Sequence, residues 1–124
     1  MKTAIVVLSD PKGGGEEALG RLFNALAAAY DLKQRQQDVE ILFQGAGTRW
    51  TGHLTHPEHP AQALYAAVAD KVAGVSSACC DVFGAREDAE TNGFDLIGDN
   101  PLPGTSGLPS LARYLADGYR VLTF

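Results

Sequence analysis

Only two of the 124 residues are cysteine, and they are neighbours, Cys79 and Cys80. A bridge between adjacent cysteines closes almost no loop and is strained, which excludes a disulfide framework; adjacent free thiols suit a reducing compartment. Basic residues are also scarce, with 10 Lys and Arg against 15 Asp and Glu and a net charge of −5. Without a basic stripe, neither nucleic acid nor an anionic membrane surface is an expected partner. Long apolar runs are missing. The first, Ala4 to Leu8, is too short for a signal-peptide core, lacks a cleavage site before Asp10 and Pro11, and is followed by no window of membrane-spanning length. The expectation is a soluble, cytoplasmic protein.

Several chemical signatures are absent too. There is no Gly-x-Ser-x-Gly elbow, no Ser-His-acid arrangement and no paired-carboxylate pattern; Glu87, Asp88 and Glu90 read as a solvated helix face. Gly13-Gly14-Gly15 follows a strand and opens a helix, where backbone N–H groups can meet a phosphate. Yet Arg21-Leu22 stand where a Walker loop needs Lys followed by Ser or Thr. The dinucleotide spacing occurs only as Gly13-x-Gly15-x-x-Ala18, with Gln44 in place of the ribose-binding acid. No cofactor is expected. His53, His56 and His59 recur every third residue, but nothing in a loop stiffened by Pro57 and Pro60 makes them converge, so a solvated loop without metal is expected.

What is present is an ordinary globular balance, 45% apolar and 20% charged residues, in a chain long enough for one domain, residues 1–124, with a real core. Thr3 to Leu8 is a β-branched run typical of a strand covered on both faces. A helix follows from Glu16, with Leu19, Leu22, Phe23, Leu26, Ala29 and Tyr30 as its buried stripe. It fades through Lys33 to Gln37 without a glycine, so a polar residue must make the turn at some cost. Asp38 to Phe43 is the second strand, and a long loop runs from Gln44 to His59. Pro60 opens the second helix, with Ala61, Leu64, Tyr65, Val68 and Val72 inward. A third strand reaches Ala78 and leads to the cysteines, with a helical turn at Asp81 to Gly84. Arg86 to Asn92 is helical and is closed by Gly93. Phe94 to Ile97 is the fourth strand. A third long helix from Thr105 or Ser106 to Ala116 puts Leu108, Leu111, Ala112 and Leu115 inward, and Tyr119 to Phe124 closes the chain. Alternating strands and helices imply an α/β fold in three layers, α/β/α, around a five-stranded, mainly parallel sheet.

In such a sheet ligands gather outside the carboxyl ends of the strands. A thiol at a strand-to-helix junction there would meet the positive end of the peptide dipoles, which favours thiolate; the competing expectation is two small apolar residues packed in the core. Gly45, Gly47, Thr48 and Trp50 lie at the same edge, as does Asp10. The glycines permit close backbone approach, Thr48 offers a hydroxyl, and Trp50 serves either as an apolar lid or as a plug in the top of the core.

Four stretches carry a resemblance to the DsrE/DsrF-like family of sulfur-relay and related small proteins. They are Ile5-Val6-Val7-Leu8-Ser9-Asp10, Phe43-Gln44-Gly45-Ala46-Gly47-Thr48-Arg49-Trp50, Gly74 through Gly84, and Gly118 through Phe124. The resemblance implies a three-layer fold with five strands and homo-oligomers, often trimers or hexamers. It also implies a cysteine that takes sulfane sulfur as a persulfide from a donor protein and passes it to an acceptor protein. That cysteine maps to Cys79, with Cys80 as the alternative, and Ser76 stands where relatives can carry a further cysteine. The reading from a different class is a non-catalytic oligomeric module that binds a small anionic or nucleotide-like ligand through Gly13 to Gly15 and Gly45 to Thr48. A third is an interaction subunit with inert cysteines.

Overall fold

The computed structural model describes residues 1–124. Its strands are β1 (Lys2–Val7), β2 (Asp38–Phe43), β3 (Val72–Ser76), β4 (Leu96–Ile97) and β5 (Tyr119–Thr123). Its helices are α1 (Gly15–Gln34), α2 (Gln62–Val68), α3 (Ser77–Phe83), α4 (Arg86–Thr91) and α5 (Leu111–Ala116), with 3₁₀ segments at Gly45–Gly52 and Ala69–Lys71. All strand pairs are parallel, in the order β4-β3-β2-β1-β5.

That order accounts for the layers. From β1 to β4 each connection steps the same way across the sheet, and right-handed crossovers then place the helices on one face. The return from β4 to β5 runs the opposite way and leaves its helix on the other face. The packing agrees. Ile5, Val7, Ile41, Phe43 and Val75 share a core with α1, α2, α3 and α4, whereas Ala4, Val6 and Leu42 form a smaller cluster with Tyr114 and Leu111 of α5.

On that thinner face a half-buried carboxylate does the fastening. Glu40 accepts hydrogen bonds from the hydroxyls of Tyr114 and Tyr119, whose rings meet edge to face at 4.9 Å. This ties α5 and β5 to the central strand β2.

Several boundaries differ from the sequence reading. The stripe of α1 is Ala18, Leu22, Ala25, Leu26 and Ala29, with Leu19 and Phe23 half-buried and Tyr30 exposed. The stripe lies about one position off because small alanines let α1 sit close to the sheet. α2 starts at Gln62, two residues after Pro60. The third long helix shrinks to Leu111–Ala116, because Asn100 and Leu108 pair across an isolated antiparallel bridge and hold the preceding segment extended. Tyr114 is its buried residue and Leu115 is 61% exposed. Phe94 is buried ahead of β4 rather than in it.

The turn at the end of α1 falls where expected. Gln36 takes a positive φ of 59°, Gln36 N–H donates to Lys33 O, and Gln37 N–H donates to Leu32 O. These are the two bonds of a Schellman cap, a position usually held by glycine. The left-handed conformation costs a side-chain-bearing residue about 1–2 kcal/mol, of which glycine's greater unfolded-state freedom cancels about 0.5–1 kcal/mol. Gln36→Gly should therefore stabilise the fold by about 0.5–1 kcal/mol, seen as a higher urea midpoint at unchanged m-value.

The Glu40 fastening has its own pH signature. The hydrogen bond to Glu40, then burial, pushes the Tyr119 hydroxyl up to about 12, above the ordinary tyrosine value of about 10. A folded-state value above the unfolded one gives stability that is complete below about pH 10 and lost as pH rises through the folded value. Thermal midpoints of the wild-type protein should fall more steeply than those of Tyr119→Phe between about pH 10 and 12.

Candidate functional site

All five strands finish at one edge of the sheet, and the polar segments that follow β1, β2 and β3 lie side by side there. Strand β3 stops at Ser76, two residues before the expected end, and α3 begins at once with Ser77. The reason is local: the Ser76 hydroxyl accepts a hydrogen bond from Cys79 N–H at 3.4 Å and caps the helix. Gly84, at φ 68°, closes α3 in the left-handed conformation. Cys79 is thus the third residue of a seven-residue helix, rather than the first residue past a strand that ends at Ala78.

One step along a helix turns a side chain by about 100°, and this separates the two thiols. Cys79 is partly exposed. Cys80 is 0% exposed within the main core, together with Trp50, Ala85 and Ala89. Burial, ahead of the neighbouring charges, pushes the Cys80 thiol up to about 11. Cys79 precedes Val82 by three residues and Phe83 by four, so it shares a face with both. Val82 is 73% exposed. A cleft of about 480 Å³, including Lys12, Arg49 and Phe83, lies on one flank of α3. One of about 410 Å³, including Ala78, Val82 and Ser106, lies on the other. Cys79 belongs to the wall of neither.

α3 is fixed from both sides. Arg86 reaches Asp81 at 2.6 Å and Ser77 Oγ at 2.9 Å; Ser106 Oγ donates to Asp81 at 2.9 Å, and Ala78 N–H donates to Gly107 O. The Arg86 guanidinium, then the Ser106 hydroxyl, holds the Asp81 carboxyl below its usual range. Opposite, Arg49 makes a two-pronged pair with Asp10 at 3.0 and 3.1 Å, donates to Phe83 O at 3.1 Å and lies 5.5 Å from the centre of the Phe83 ring. Asp10 also accepts from Lys12 N–H, and that backbone bond leads the lowering of its pKa, with Arg49 adding to it.

The other expected ligand residues are occupied with the fold. The stretch after β2 is a 3₁₀ segment rather than an open loop. Thr48 is fully buried and its hydroxyl donates to Gly45 O at 2.8 Å. A side chain at Gly47 would strike the backbone carbonyl oxygen of Val7, so the glycine is there to let the two strand ends touch. Gly45 takes φ 56° beside Leu8. Trp50 is 2% exposed and its indole N–H donates to Ser9 O at 2.9 Å, which makes it a plug in the core and not a lid. Of the site residues expected from sequence, Cys79 alone offers a reactive atom beyond the fold's own bonding.

In the histidine loop, the His53 and His59 rings lie 6.0 Å apart, each edge-on to Trp50. His59 Nδ1 accepts from Ala61 N–H at 3.1 Å, which puts the ring proton on Nε2. Burial, then repulsion from His53 and His56, lowers the His59 pKa. These histidines brace the tryptophan.

Sequence reasoning passed over Arg49, Arg86 and Ser106, which link segments far apart in the chain and leave no local pattern. Ser76 was legible: a serine three residues before Cys79, at the head of a short helical run, is an N-cap signal. Gln44 was noticed only as a missing acid. It is 7% exposed, and its Nε2 is a buried side-chain polar atom with no hydrogen-bond partner.

No helix is long and apolar enough to cross a membrane. The model of the DsrE/DsrF-like family matches residues 1–124. An uncharacterized protein of Methanocaldococcus jannaschii is 29% identical over 101 residues, which span 82% of this chain and 78% of that protein. A conserved protein of unknown function from Bacteroides thetaiotaomicron has a similar solved structure, with a TM-score of 0.61 at 17% identity, covering 98% of this chain and 94% of that one. That likeness is one of fold, a five-stranded parallel sheet with helices on both faces. With its whole length matched and its architecture in agreement, the chain belongs to the DsrE/DsrF-like family.

Proposed function

We propose that this protein carries sulfane sulfur on Cys79. The observation that supports the reading is the division of labour between adjacent thiols: Cys79 is partly exposed on a capped, doubly braced helix, while Cys80 is sealed in the core. The step needs no metal and no oxidant. The Cys79 thiolate attacks the outer sulfur of a donor persulfide, R–S–SH. The donor's S–S bond breaks, a new S–S bond forms on Cys79, and the donor leaves as R–S⁻. Attack by an acceptor thiolate on the outer sulfur reverses the roles and returns Cys79 to its starting state.

Such transfer needs a thiol that a macromolecule can reach, on a support that does not shift. Val82, 73% exposed one turn along α3, and Leu8, 45% exposed at the end of β1, supply apolar surface at the same edge. We assign to this surface the docking of donor and acceptor proteins, in a homo-oligomer of the trimeric or hexameric kind. In this reading Cys80 fills the core and takes no sulfur. The small-anion reading is weaker. Glu16 and Glu17 occupy the first turn of α1 beside Gly13 to Gly15 and oppose an anion there, and Gly45 to Thr48 are engaged with the fold.

The test is to incubate the protein with polysulfide, remove the excess, and map adducts by mass spectrometry. The wild-type protein and Cys80→Ser should each gain the mass of sulfur on Cys79, and Cys79→Ser should gain none. Equal uptake by Cys79→Ser, or none by the wild-type protein, would contradict the assignment.

A further inference from the structure

We infer that His59 is an acid-sensitive latch: its neutral ring holds the entry to α2 against Trp50, and a proton on Nδ1 releases both. The geometry begins with Ala61, which directly precedes α2 and is 0% exposed in the main core. Its own side chain offers no cap to that end of the helix. Instead Ala61 N–H donates to His59 Nδ1 at 3.1 Å. The bond spans two residues, the reach of the turn that an Asn or Asp side chain makes with its own backbone. Here an imidazole makes it, and an imidazole, unlike an amide, takes up a proton in the physiological range.

The same ring leans on the buried indole. His53 and His59 meet Trp50 edge to face, at 6.2 and 5.9 Å between ring centres, and lie 6.0 Å from each other. A proton on His59 is therefore opposed twice. Nδ1–H would point at Ala61 N–H, donor against donor, and the charge would sit beside a second imidazole. The elements packed on the ring bring no carboxylate to offset this. Pro11, Gly15 and Leu19 line the small cavity that His53 and His59 share with Trp50. Glu16 and Glu58, the chain neighbours of Gly15 and His59, are exposed and form no ion pair with the ring. Lys12, Arg49 and Asp88 line the larger cleft that His53 also borders. Burial and the two other histidines of the loop all resist the charge.

The sign follows. The folded chain protonates this ring less readily than the unfolded chain does. The neutral ring therefore contributes its full stability above the ordinary histidine value of about 6.5, and that contribution is lost as pH falls below it. Once protonated, the ring turns to solvent, frees Ala61 N–H and takes one of two imidazoles off the indole. Trp50 adjoins Arg49, which donates to Phe83 O at the end of α3, so the latch stands one residue from a brace of the helix that carries Cys79. The device does not depend on what Cys79 carries.

Trp50 is the sole tryptophan, so its fluorescence reports the latch. The parent for the experiment is His53→Gln, which leaves one imidazole on the indole. Emission and thermal midpoint are followed from about pH 8 to about pH 4.5. The parent's emission maximum should move reversibly to the red as the indole gains water, with a midpoint below about 6.5. His59→Asn in that background makes the same two-residue turn through its Oδ1 and takes no proton. It should match the parent's thermal midpoint at about pH 8 within about 2 °C, show no red shift, and lose less thermal stability on acidification. His59→Leu, which has no acceptor, should show a red-shifted maximum and a lower thermal midpoint already at about pH 8. Quenching without a red shift in the parent, or a midpoint at or above about 6.5, overturns the inference. So does the same red shift in His59→Asn, or a His59→Leu protein that matches the parent at about pH 8 in both readouts.

Discussion

In a parallel sheet every strand points the same way, so every strand end is delivered to one edge, and whatever polar residues follow the strands must share it. Here that constraint acts on three consecutive strands. β1, β2 and β3 are neighbours in space as well as in sequence, so Leu8 to Asp10, Gln44 to Trp50 and Ser76 to Cys79 arrive next to one another. The close approach at Gly47 against Val7 O and the Trp50 bond to Ser9 O lock the first two segments together. Arg49 then bridges both to α3 through Asp10 and Phe83 O. The helix that presents Cys79 is short, and isolated helices of its length do not hold themselves together in water. Its rigidity is borrowed from these neighbours.

The same edge explains why one thiol is open and the next is shut. A helix that packs flat on a core buries residues about one turn apart. Cys80 takes the inward position and lies with Trp50 and Ala89, so its sulfur has lost water and holds its proton more tightly. Cys79 lies about 100° around the axis, beside the exposed Val82. Two chemically identical side chains therefore differ through geometry alone. A single-residue slip of α3 would exchange their environments, and the Ser76 cap at one end and Gly84 at the other oppose that slip.

Much of the architecture was legible in the sequence because it depends on local pattern: the β-branched run at Thr3 to Val7, the long apolar stripe of α1, and Gly93 and Gly118 where helices stop. The Gln36 turn was legible as a cost, since no glycine was at hand. The C-terminal third was read poorly. Leu108, Leu111 and Leu115 have helical spacing, yet the Asn100–Leu108 bridge claims the first of them for an extended segment. Pairing between residues eight apart leaves no periodic trace. At the site, the sequence pointed to Cys79, noted Ser76 only as the place of a relative's further cysteine, and left Trp50 open between lid and plug. An indole donor and a tight glycine contact look the same in sequence whether they serve a ligand or the fold. Arg49 and Arg86 work across gaps of 39 and 20 residues, to Asp10 and Ser106, and only the assembled sheet edge shows it.

The claim on which the account stands is that the fold opens one thiol and closes the other. Peptide mapping after brief labelling of the native and the urea-unfolded protein tests it most directly. The account predicts that Cys79 is modified in the native state while Cys80 reacts only after unfolding; equal protection of both sulfurs, or native labelling of Cys80 ahead of Cys79, would contradict it.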